Sequence, residues 1–76
     1  MKLEVGEVLN LKINNRDYIV LKDVVYDNAN YYYLMSVDKP VDIKIVTLNM
    51  KDGKEVLETV TDKELVLEIM KLTKED

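Results

Sequence analysis

Four aspartates, Asp23, Asp27, Asp38 and Asp42, are the residues of this 76-residue chain whose type and spacing come nearest to a chemical site. Asp38 and Asp42 flank Pro40, and with Asp23 or Asp27 they could offer oxygen ligands to a hard cation. Their spacing matches no Ca²⁺ loop, and the third and fourth ligands are missing. Solvated turn acids are the expected reading, with no metal and no other cofactor. Nucleophilic catalysis needs an activated Ser, Cys, Thr or Lys beside a base. The chain has no His and no Cys, and its one serine, Ser36, sits in an expected strand with no motif around it. Gly6 and Gly53 are isolated, so phosphate-loop and dinucleotide fingerprints are absent. The expectation is a protein that is not an enzyme.

The tyrosines are the most unusual feature. All five aromatics are Tyr, and Tyr26, Tyr31, Tyr32 and Tyr33 bracket one turn. Tyrosine buries a large ring and keeps a polar tip, which suits core margins and contact surfaces alike. Most of these rings are expected to line the edge of the core. A contact surface is the alternative, anchored by Tyr32 and by Tyr26 or Tyr31. Stacking of single-stranded nucleic acid on the rings would also need a basic groove, and Asp23 and Asp27 argue against one.

Bulk composition narrows the partners. Net charge is −4, from 15 acids and 11 bases with interleaved signs and a single arginine, Arg16. Counterion release on nucleic acid needs clustered Lys and Arg, so direct nucleic-acid binding is not expected. Mild acidity favours solubility or a basic protein partner. The start, Met1 to Glu7, carries acids where a signal peptide needs an unbroken apolar run. No run is long enough for a bilayer, so no membrane contact and a cytoplasmic location are expected. A chain this short makes one domain with a thin core, and dimerisation is one way to bury more.

The elements that must position these residues follow from periodicity and turn chemistry. Strands are expected over about 8–13, 18–26, 31–37, 41–50 and 55–60, with a short lead-in strand at Leu3–Val5. Tyr18 to Val37 is the central hairpin, turning at Asp27-Asn28-Ala29-Asn30. Asn14-Asn15-Arg16-Asp17 and Lys51-Asp52-Gly53-Lys54 are the other expected hairpin turns. The two central strands are apolar on both faces, and Lys22-Asp23 interrupts the apolar run of the first, which predicts a bulge or strong bend there. The apolar parity of strand four slips midway, which predicts another near Ile45-Val46. Thr61 to Glu64 matches a capping box opening a helix over about 62–73, with Asp62 and Glu64 meeting its dipole. Leu65, Val66, Ile69, Met70 and Leu72 form the apolar stripe, and Lys63, Glu64, Glu68 and Lys71 the opposite face. Leu67 falls outside the stripe and is a further partner-contact candidate.

In this order, the Asx-rich turn before Tyr18-Ile19-Val20-Leu21, the run Tyr31-Tyr32-Tyr33-Leu34, and Val41-Asp42-Ile43-Lys44-Ile45-Val46 resemble a group of small acidic bacterial proteins. The segment Glu55 to Leu65 is similar to that group's strand, junction and helix. These proteins occur mainly in Firmicutes and their mobile elements and form a domain family of unknown function. The likeness covers most of residues 8–72 as hydrophobic alternation with few fixed polar positions. It implies a compact β-rich fold and carries no functional residues over.

The expected architecture is a five-stranded antiparallel meander, curled into a small SH3-like barrel or sheet, with one C-terminal helix packed on it. The expected role is a non-enzymatic module that binds another protein through the Tyr-rich hairpin or an exposed sheet edge. One alternative is an acidic, phage-type inhibitor that fills the nucleic-acid groove of a host enzyme, with Asp23, Asp27, Asp38 and Asp42 in a row. Another is a structural homodimer.

Overall fold

The computed structural model describes residues 3–74. Strands β1 (Val8–Leu11), β2 (Arg16–Tyr26), β3 (Ala29–Ser36), β4 (Ile43–Lys51) and β5 (Lys54–Thr59) are followed by helix α1 (Lys63–Lys74). Each strand pairs antiparallel with the next, so the sheet is a simple meander in chain order, curled into a half-barrel. β1 and β5 are its two edges.

Turn chemistry sets the registers. Tyr26 lies opposite Ala29, which leaves Asp27-Asn28 as a two-residue turn with φ of 51° and 65°. Both residue types tolerate left-handed backbone, and such turns match the twist of the flanking strands. β3 therefore starts two residues earlier than its sequence suggests. Asp52-Gly53 closes β4 to β5 in the same way, with φ of 50° and 76°. Between β1 and β2, Leu11 faces Arg16, and the Asn15 amide donates to the Leu11 carbonyl at 2.7 Å. The turn is thus Lys12 to Asn15, and Ile13 is not a strand residue but a loop residue, 77% exposed.

The sheet has a core on each face. Leu11, Tyr18, Val20, Tyr32, Leu34 and Val46 fill the inner one, flanked by Leu9, Leu48 and Leu57, so all five strands contribute. Val24, Ile45 and Ile69 form the second, with Tyr26, Tyr31, Tyr33, Val60 and the helix residues Leu65, Val66 and Met70 around them. The switch between faces along β2 has a clear cause. Val20 pairs with Leu34 and Lys22 with Tyr33, so Leu21 is an extra residue. Period-two alternation alone would keep Tyr18, Val20, Val24 and Tyr26 on one face; the bulge turns the last two toward the helix. It falls at Leu21, one residue before Lys22-Asp23.

Strand four needs no such device. Its pairing with both neighbours runs without a shift from Ile43 to Lys51, so the expected bulge near Ile45-Val46 is absent. Ile45 serves the helix-side core and Val46 the inner core, and the apparent slip in parity is a strand buried on both faces.

The ends of the chain also differ from expectation. Leu3 to Val5 is not a strand. The Gly6 amide donates to the Val20 carbonyl at 2.8 Å, with φ of 93° at Gly6, and the turn drops Leu3 into the inner core at 5% exposure. At α1 the cap is Asp62 rather than Thr61: its Oδ1 accepts from the Glu64 amide at 3.0 Å and the Leu65 amide at 3.4 Å. Ile69 is the fully buried centre of the helical stripe, while Leu72 at its end is exposed.

Candidate functional site

Two polar regions stand at opposite ends of β2. At its start, Arg16 reaches across to the segment between β3 and β4. Its Nη2 donates to the Pro40 carbonyl at 2.5 Å, the Asp38 carbonyl at 3.1 Å and Asp38 Oδ1 at 3.2 Å. Beneath it, the buried Ser36 hydroxyl accepts from the Asp42 amide at 2.8 Å and donates toward the Asp38 and Pro40 carbonyls. The Lys39–Pro40 bond in this loop is cis. Tyr18, whose residue is fully buried, donates its hydroxyl to Asp42 Oδ2 at 2.5 Å and accepts from Asn14 Nδ2 at 2.9 Å. That hydrogen bond, aided by Lys44 at 3.5 Å, holds the Asp42 carboxyl below the usual carboxylate range against the opposing cost of burial. The cluster ties the start of β2 and the turn before it to the 37–42 loop. The loop also explains why β4 begins at Ile43 and not at Val41.

At the far end of β2 the surface is open. Tyr26, the cap residue Asp62 and the helix residues Glu64, Leu65, Leu67, Glu68 and Lys71 line a groove of about 460 Å³. Tyr26 is half-buried against the helix-side core. Leu67 stands 60% exposed on the outer flank of α1. Two residues singled out separately in the sequence, one on a strand and one on a helix, are thus walls of one feature. Lys71 Nζ lies 3.7 Å from Glu68 Oε1.

The other expected site residues fare differently. Tyr32 is buried in the inner core and presents almost no surface. It is 2% exposed, because Tyr32 and Leu34 share the inner face while Tyr31 and Tyr33 face the helix. Tyr31 is half-buried in the helix-side core and lines no part of the groove. The four aspartates do not form a row. Asp23 and Asp27 lie by the β2–β3 turn, with Asn30 Nδ2 donating to Asp23 Oδ1 at 3.0 Å. Asp38 and Asp42 lie beyond the other end of β3, whose eight residues span roughly 25 Å at about 3.3 Å each. Among the described residues, no three carboxylates are gathered as a metal site would require.

A third feature went unread in the sequence. Where edge strands β1 and β5 approach, Leu11, Ile13, Val56 and Leu57 with Asn10 and Lys12 border a mainly apolar cleft of about 370 Å³. Nothing in the one-dimensional pattern places residues 10–13 beside 56–57. The charged residues of the helix groove had a legible signal: Glu64, Glu68 and Lys71 recur at i, i+4 and i+7 beside Leu67. No helix among the described residues is long and apolar enough to cross a membrane.

No family model, no curated protein and no solved structure matches this chain.

Proposed function

We propose that this chain is a non-enzymatic module that binds another protein through the Tyr26–Leu67 groove. The observation that carries this reading is the convergence of a half-buried aromatic from β2 and an exposed leucine from α1 on one open groove. Interfaces draw most of their energy from a few apolar and aromatic anchors ringed by polar groups that exclude water. Tyr26 supplies a ring already fixed by core packing, so little side-chain entropy is lost when a partner covers it. Leu67 supplies apolar area that the fold itself does not use. A photo-reactive residue at position 67, and in a second variant at position 13, tests this in the producing cell. The reading expects one discrete protein adduct from position 67 and none from position 13. Adducts from position 13 alone, or from neither, would sink it.

The cleft between β1 and β5 supports a second reading, strand addition at a sheet edge. Its observation is the exposed Ile13 beside Leu11 and Leu57 of the inner core, between two strands with free edges. An adduct pattern dominated by position 13 is what that reading expects.

A further inference from the structure

We infer that the Tyr26–Leu67 groove takes a cationic polypeptide segment, one carrying Lys or Arg around a single aliphatic anchor. The inference rests on the binding reading above and adds the chemistry of the partner. Charge selects the occupant. Three of the groove's residues are acids, Asp62, Glu64 and Glu68, and one is a base, Lys71, which is already turned to Glu68. The positive end of the α1 dipole, worth about half a charge, offsets only part of that excess. The chain as a whole, these residues included, carries a net charge of −4.

The same charges argue against other occupants. A second copy docked by a twofold axis would set three carboxylates against three. Nucleic acid and anionic lipid are repelled in the same way. A cationic segment instead finds carboxylates on the helix and a tyrosine face that can take a guanidinium. The anchor is set by Leu65 and Leu67 with the Tyr26 ring. From Glu64 to Lys71 the helix offers two turns, roughly 10 Å at about 1.5 Å per residue, enough for a short helix or a few residues of strand.

Three synthetic peptides test this on isotope-labelled protein followed by NMR: an amphipathic Leu–Lys peptide, the same peptide with Glu at every Lys, and a Gly–Lys peptide of equal charge. The Leu–Lys peptide should shift the amides of Tyr26, Leu65, Leu67 and Glu68. Each control should bind about tenfold more weakly or worse. Glu64→Lys should weaken the Leu–Lys peptide about tenfold, and Leu67→Ser by a similar factor, with the rest of the spectrum unchanged. Equal binding of the Glu peptide at the groove would overturn the cationic inference while leaving the groove a contact surface. Shifts confined to Leu11, Ile13 and Val56, or no shifts at all, would also overturn it. Loss of the position-67 adduct described above is the separate result that removes the groove itself.

Discussion

At the start of β2, the polar groups of Arg16, Tyr18, Ser36 and Asp42 are turned to one another and to the 37–42 loop. At the end of the same strand, Tyr26 stands with Leu67 and three acids on an open groove. Both regions hold carboxylates and a tyrosine, and composition does not separate them. What separates them is where the cations went. The single arginine is spent on backbone carbonyls and Asp38 at the first site, and Lys44 sits by Asp42. The second has only Lys71 against three acids. A polar cluster that satisfies itself is architecture; one that leaves charge and apolar area outward is a surface.

Substitutions can break that contrast, and the largest effect belongs to neither end. Tyr32→Ala removes a buried ring from the inner core and should cost about 3–5 kcal/mol in urea unfolding. Leu67→Ser, on an equally apolar position by sequence, should stay within about 0.5 kcal/mol. Similar losses for the two would remove the distinction between core and surface. Next comes Arg16→Met, which keeps the stem but removes the guanidinium from the Pro40 and Asp38 carbonyls, leaving the Ser36 hydroxyl to serve both. A loss of about 1–3 kcal/mol is expected, with amide shifts concentrated in residues 36–42.

Tyr18→Phe should cost less, about 1–2 kcal/mol, and it carries a pH signature. Asp42 has a folded pKa below its unfolded value, so its contribution is present above the unfolded value, about 3.8. That contribution is lost as pH falls through the lowered folded value. Wild type should therefore lose more stability than Tyr18→Phe on going from about pH 5 to about pH 2, and the two denaturation midpoints should converge. Parallel pH profiles would mean that the hydroxyl does not hold the carboxylate. A smaller effect than that of Tyr18→Phe is expected for Glu64→Lys. Stability should move by no more than about 1 kcal/mol, the helix-dipole cost of a cation in the first turn, since the helix cap is made by Asp62 and not by Glu64. A larger loss would make the groove acids structural.

Much of the fold was legible because local chemistry and global topology agree. Asp52-Gly53 and Asp27-Asn28 are turn residues by type, and the helix shows its stripe from Leu65 to Leu72. Burial was harder to read. The run Tyr31 to Leu34 is apolar at every position, so alternation says that Tyr32 opposes its neighbours but not which face is deeper. The burial of Tyr32 was hidden by that ambiguity, whereas Tyr26 and Leu67 were each legible but not their meeting.

Period and turn type in the chain itself determined five antiparallel strands, a closing helix and two tight turns, because each depends on residues a few positions apart. Which apolar face turns inward depends on the extra residue at Leu21, and which loops Arg16 can reach depends on the curl of the sheet. Those contacts join residues 22 to 24 positions apart, Arg16 to Asp38 and Tyr18 to Asp42 among them, and packing alone decided them.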